Sequence, residues 1–184
     1  MEDKGVYMII DLDRCWGCRA CEVACKQEKG LDVGFSPMKV IEIEPREIEG
    51  KLYRDFVPTL CQHCDQAHCL EACPEGAIYR ENDGTIQIDE NACTGCELCV
   101  TECPYGLIHV NSGGPSIKCD LCIGRRKNGG LPSCVQHCPG RALALVNEKE
   151  RKSMVKKKYF WKTGRMVYVS EKWASLGEEI KGVG

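Results

Sequence analysis

A chain of 184 residues with 16 cysteines, only three phenylalanines and a formal charge of -2 is too evenly charged to name a nucleic-acid or acidic partner. No stretch approaches the roughly 18 apolar residues that span a membrane, and the apolar run VYMII at residues 6–10 is too short for the core of a signal peptide. The expectation is therefore a cytoplasmic chain, where thiols stay reduced and clustered cysteines bind metal rather than form a disulfide scaffold.

In chain order the cysteines form four runs of four with none left over. They are Cys15, Cys18, Cys21, Cys25; Cys61, Cys64, Cys69, Cys73; Cys93, Cys96, Cys99, Cys103; and Cys119, Cys122, Cys134, Cys138. The first and third read C-x2-C-x2-C-x3-C, the spacing by which ferredoxins hold [4Fe-4S] clusters. Three thiolates at two-residue spacing let one loop wrap a corner of a cuboid, and the x3 step opens a helix. Pro74, Pro104 and Pro139 follow the last cysteine of the second, third and fourth runs and fix the exit of the chain, whereas the first run has Lys26 there. Gly17 and Gly95 precede the second cysteine of CWGC and CTGC, where positive φ and close approach of backbone N–H groups to sulfur are expected. Zinc is the competing reading, open to the second and fourth runs alone. Two further runs with three cysteines at two-residue spacing suit zinc poorly.

Between the first two runs, MKVIEIE and KLYRDFV read as strands joined by a turn at Glu49-Gly50, a cover over neighbouring clusters or a docking surface. Between the second and third runs, Asn82-Asp83-Gly84 marks a hairpin. The internal echo of CPEGAI, CPYGLI and CPGRAL suggests one two-cluster unit nested in another. The expected fold is α+β, ferredoxin-like, with many loops. Residues 1–27 and 109–146 form an outer unit, 28–59 an insert, 60–108 an inner unit and 147–184 a C-terminal docking extension. In that extension Asn147 caps a helix with Glu150 three residues on, RKSMVKKK is a solvated basic face or a docking patch, RMVYVS is a strand, and EKWASLGEEI is a short terminal helix. Trp161 and Trp173 are expected to cover themselves with a partner subunit. His63, His68 and His137 lie beside ligand cysteines and read as groups that tune potential, and His109 as ordinary surface or core.

By analogy with two-cluster ferredoxins, the fourth cysteine of a run crosses to the neighbouring cluster. That analogy, not the spacing, implies four [4Fe-4S] sites: Cys15, Cys18, Cys21 with Cys138; Cys25 with Cys119, Cys122, Cys134; Cys61, Cys64, Cys69 with Cys103; and Cys73 with Cys93, Cys96, Cys99. The motifs CWGCRACEVACKQE, LCQHCDQAHCLEACPEGAIYR, DENACTGCELCVTECPYG and KCDLCIGRRKNGGLPSCVQHCPGRAL, over about residues 8–145, resemble the four-cluster iron-sulfur subunit of dimethyl-sulfoxide-reductase-type complexes. After the fourth run the chain reads CPGRALALVNE, where that family usually has CPTGA. The resemblance implies a non-catalytic relay between a large molybdenum- or tungsten-pterin subunit and a further redox subunit, with export as a passenger of a signal-bearing partner left open. A free-standing polyferredoxin, or an electron link of a hydrogenase or carbon monoxide dehydrogenase, is the alternative. No Rossmann fingerprint, P-loop or nucleophile motif suggests catalysis.

Overall fold

The computed structural model describes residues 5–31, 33–110, 114–157 and 159–172. In chain order the elements are β1 (Val6–Asp11), α1 (Ala20–Lys29), β2 (Met38–Glu42), β3 (Arg46–Ile48), β4 (Lys51–Tyr53), β5 (Phe56–Leu60), α2 (His68–Glu71), β6 (Ile78–Arg80), β7 (Ile86–Ile88), α3 (Leu98–Thr101), β8 (His109–Val110), β9 (Ser116–Ile117), α4 (Ile123–Lys127), α5 (Ser133–Gln136), β10 (Leu143–Asn147), α6 (Glu148–Met154), β11 (Tyr159–Thr163) and β12 (Met166–Ser170). Short helices and small sheets joined by long loops make this an α+β, ferredoxin-like fold.

The largest sheet has the order β10-β1-β12-β11. Its centre, β1, pairs antiparallel with β10 and parallel with β12, with Ile9 opposite both Ala144 and Val167. Sequence VYMII is continuously apolar because both faces of this strand are buried. Met8 and Ile10 enter a core with Met38, Leu60, Leu121, Met166 and Tyr168, and that core also holds Cys21, Cys25, Cys61, Cys119 and Cys134. Tyr7 and Ile9 face the other way, into a smaller cluster with Val146, Val167 and Val169. Carbon and sulfur therefore share one interior, as three phenylalanines in 184 residues foretold.

β11 and β12, which lie in the stretch expected to dock a partner, are strands of this sheet, and Met166, Val167 and Tyr168 are fully buried. Trp161 covers itself within its own chain. Its ring stacks on Tyr168 at 5.6 Å between centroids, because the antiparallel register sets the two residues opposite each other. Trp173 and the expected terminal helix lie outside the described residues. His109 is exposed and stacks on Phe35 at 4.6 Å.

The insert is one long hairpin in two parts. β2 pairs with β5, and β3 pairs with β4 around Glu49 and Gly50, whose φ values of 52° and 73° suit a two-residue turn between twisted strands. It lies over the first cysteine loop. The Val40 N–H donates to Glu22 Oε1 of α1 at 2.6 Å, and the Phe56 ring sits where a Cβ on Gly17 would be, 2.5 Å away.

β10 runs directly into α6 through a complete capping box. Asn147 Oδ1 accepts from the Glu150 N–H, and Glu150 Oε2 accepts from the Asn147 N–H, each at 2.9 Å. Arg151 forks onto Glu148 at 2.6 Å and lies 5.1 Å from the Tyr7 ring centre, so part of the basic run is tied to its own chain. Asn147→Ala is expected to cost about 1 kcal/mol, read as a fall of about 2–4 °C in thermal unfolding.

Candidate metal centre

All sixteen cysteines are free thiols; Cys21, Cys25, Cys69, Cys99 and Cys134 lie in short helices, Cys122 caps one, and the others lie in the adjoining loops. Each C-x-x-C loop turns the same way. The residue before its second cysteine has positive φ, at Gly17 (69°), His63 (46°), Gly95 (71°) and Leu121 (51°). Glycine does this without strain, whereas a residue with a Cβ costs about 1–2 kcal/mol more. A second repeated turn follows the last cysteines, where the N–H groups of Gly76, Gly106 and Arg141 return to the carbonyls of Cys73, Cys103 and Cys138. The echo of CPEG, CPYG and CPGR is thus a repeat of backbone shape.

Cys15, Cys18 and Cys21 are brought against Cys138. The Cys15 thiol is raised by burial and by the nearby charges of Cys138 and Cys18, and that of Cys21 is pushed up to about 12 by burial, Cys15 and Cys138. These four thiols line a cavity with Trp16, Val40, Pro58 and Leu143. Gly140 also lines it, and its Cβ position lies 2.5 Å from the Arg14 carbonyl.

Cys25, one helical turn beyond Cys21 on α1, faces another set. Burial pushes its thiol up to about 12, and Cys122 adds to the shift. Burial, Cys25 and Cys134 raise Cys119 well above the usual range, while burial, Cys122 and Cys25 raise Cys134. Lys29 ties α1 to the fourth run through Asp120 at 2.7 Å and opposes the shift at Cys25.

In the inner region Cys61, Cys64 and Cys69 gather around Cys103. Burial, Cys61 and Cys103 push Cys64 up to about 11, and burial and Cys61 push Cys69 up to about 12. They line a second cavity, close in size to the first. Cys99 is raised by burial and by Cys93 and Cys96, and Cys73 packs on the apolar cluster that includes Cys99.

Backbone and hydroxyl donors are aimed at sulfur in these loops. Leu121 N–H meets Cys119 Sγ at 3.4 Å, Ala142 N–H meets Cys138 Sγ at 3.3 Å, and Ser116 N–H meets Cys93 Sγ at 3.3 Å. Ser116 Oγ lies 3.2 Å from Cys99 Sγ. Burial raises Cys93, but the N–H bonds from Ser116 and Gly95 outweigh it, and the thiol ends below its ordinary value. Buried thiols held protonated in the absence of metal ionise when metal binds, so loading releases protons. Among the described residues no three His, Cys, Asp or Glu side chains converge on a point that would hold a single ion. Two of the four cysteine sets line cavities, which suits a polynuclear group.

Two models of the 4Fe-4S dicluster domain match, one over residues 52–148 and one over residues 14–77. The chain belongs to the 4Fe-4S dicluster family. It is 40% identical over 139 residues to the thiosulfate reductase electron transfer subunit of Salmonella typhi, covering 74% of this chain and 72% of that protein. It is 38% identical over 142 residues to a probable anaerobic dimethyl sulfoxide reductase chain of Escherichia coli, covering 73% and 69%. A tetrathionate reductase subunit of Salmonella typhimurium is 35% identical over 150 residues, covering 80% of this chain and 60% of that protein. With the thiol-lined cavities, these relatives make the chain an iron-sulfur electron-transfer subunit that carries [4Fe-4S] clusters. No helix among the described residues is long and apolar enough to cross a membrane.

The cysteines were all legible from spacing. The sequence reading missed what surrounds them, namely Lys118, 5% exposed between β7 and the fourth run, and the left-handed backbone of His63 and Leu121. A lysine directly before the fourth run was the only visible signal for the first. His137 Nδ1–H donates to Ser133 O at 2.8 Å and so caps its own turn, while His68 is exposed.

Proposed function

We propose that the sixteen thiolates hold four [4Fe-4S] clusters: Cys15, Cys18, Cys21 and Cys138; Cys25, Cys119, Cys122 and Cys134; Cys61, Cys64, Cys69 and Cys103; and Cys73, Cys93, Cys96 and Cys99. When bound, such clusters take up and release single electrons. The chain keeps them in one row, excludes water, and directs N–H groups and lysine charges at them, which sets their potentials.

The observation that carries this reading is that the four groups lie side by side. Cys21 of the first set, Cys25, Cys119 and Cys134 of the second and Cys61 of the third share one core. α2 packs on α3, joining the third to the fourth. Neither middle set has an exposed cysteine, whereas Cys18 and Cys96, one in each outer set, are exposed. A row with both ends at the surface suits a relay between two partners. The relatives in thiosulfate, dimethyl sulfoxide and tetrathionate reductases support a large molybdenum- or tungsten-pterin catalytic subunit as one partner. A further redox subunit takes the other end. Cluster loading is assigned to the cytoplasm, where thiols stay reduced.

Metal analysis of the complex purified from its host without oxygen tests this. About 16 iron per chain, with molybdenum or tungsten in the complex, is the expected result. About 8 iron, or zinc in place of iron, overturns the cluster count. A chain that elutes alone near its mass of 20.5 kDa overturns the subunit role.

A further inference from the structure

Two of the four C-x-x-C loops carry a side chain on left-handed backbone before the second cysteine, His63 and Leu121, and Leu121 belongs to the apolar core whereas His63 is polar. Its φ of 46° is the left-handed conformation that glycine adopts at the matching positions Gly17 and Gly95. The ring is nonetheless kept, and it is completely buried.

Its protonation pattern is fixed by geometry. The Ile86 N–H of β7 donates to His63 Nδ1 at 2.9 Å, so Nδ1 carries no hydrogen and Nε2 carries the one that a neutral imidazole has. β7 is in turn held by Lys118, whose Nζ donates to Ile86 O and, at 3.1 Å, to Cys119 O. Nε2 is fully buried and has no hydrogen-bond partner among the described residues. A buried N–H without an acceptor is costly and rare. His63 lines the same cavity as Cys61, Cys64, Cys69 and Cys103, and apart from the sulfurs the side chains around that cavity are largely apolar, with Ala67, Ile86, Leu107 and Ile108 among them.

We propose that the His63 Nε2–H donates a hydrogen bond to a sulfur of the cluster held by Cys61, Cys64, Cys69 and Cys103, and that this bond raises the reduction potential of that cluster. The proposal rests on the ligand set above. A neutral donor stabilises the extra negative charge of the reduced cluster, which gains one electron and no proton, while the imidazole stays in one tautomer. His63 is thus a positioning residue for charge, not a ligand. The cation Lys118, which holds Ile86 O, acts in the same direction, since its charge favours the ionised form of Cys69 in the same ligand set.

The test uses the whole complex with ¹⁵N-labelled histidine. Pulsed EPR of the reduced wild type is expected to show one histidine nitrogen weakly coupled to one cluster. His63→Leu is the informative variant because Leu121 already occupies the matching position of the fourth loop in the same conformation. It should abolish that coupling, keep the iron content, and shift the reduction equilibrium of one cluster about tenfold toward the oxidised form, about 59 mV more negative for a one-electron couple. His63→Gln, which restores an N–H donor, should recover part of the shift. If His63→Leu loses the cluster, the wild-type coupling and the His63→Gln potential decide the matter. Absence of a histidine coupling in the wild type, a coupling that persists in His63→Leu, or unchanged potentials with full iron would overturn the proposal. A wild type without a [4Fe-4S] signal would instead overturn the ligand set on which it rests.

Discussion

Alanine at Cys15 and alanine at Cys138 silence the same cluster, and alanine at Cys25 silences a different one. That is the outcome expected from the proposed partition, although Cys15 and Cys25 share a run and Cys138 lies far along the chain in another. The physical reason is the course of α1. Cys21 and Cys25 lie one turn apart, about 6 Å along the helix axis, and the helix passes between two groups of thiols. Cys21 meets Cys15 and Cys138 at one end, and Cys25 meets Cys122 at the other. If each run kept its own cluster, Cys15→Ala and Cys25→Ala would match, and Cys138→Ala would match Cys134→Ala. Redox titration followed by EPR separates these patterns, since each cluster has its own potential. Each variant should lose up to about 4 of about 16 iron per chain, and Cys15→Ala with Cys138→Ala combined should lose no more than either alone. Additive iron loss in that double variant would reject the crossing.

Local chemistry made much of this molecule readable. The β-branched runs MKVIE and MVYVS are strands, Glu49-Gly50 and Asn82-Asp83-Gly84 are turns, and Asn147 with Glu150 is a capping box. Each depends on residues a few positions apart. What stayed hidden depends on contacts far apart in the chain. The parallel pairing of β1 with β12 joins Met8 to Met166, and no pattern near either strand announces it. The same pairing explains how Trp161 is partly covered within its own chain, because β12 brings Tyr168 against its ring. In the cysteine loops the ligands were plain, since their spacing is their signature. Their surroundings were not, because the burial of Lys118 and the twisted backbone of His63 follow from how β7 and the fourth run meet.

That long-range packing converges on one turn, and Gly164→Ala is expected to be among the most damaging single methyl additions in the chain. Gly164 joins β11 to β12 with φ of 50°, and a Cβ there would lie 2.2 Å from Gln62 O and 2.6 Å from His63 O. Both are backbone atoms of the loop between Cys61 and Cys64, so neither moves without moving the cysteines. The next residue clasps the same loop and the central strand. Arg165 N–H donates to Gln62 O at 2.9 Å, and Met8 N–H donates to Arg165 O at 2.9 Å. Gln62 Nε2 also reaches the buried Tyr168 hydroxyl at 3.3 Å. Left-handed strain of about 1–2 kcal/mol and two weakened hydrogen bonds of about 1 kcal/mol each together give a loss of roughly 3–4 kcal/mol. Thermal unfolding should fall by on the order of 10 °C. Gly50→Ala is the control, since Gly50 has a φ of 73° but nothing within 4 Å of its Cβ position, and so carries the strain without the collision. Thermal release of iron should begin at a lower temperature in Gly164→Ala than in Gly50→Ala, starting with the cluster of Cys61, Cys64, Cys69 and Cys103. Equal effects of the two substitutions would mean that the turn does not brace the loop, and the C-terminal hairpin would then be a decoration on the sheet rather than the clamp that holds a cluster site closed.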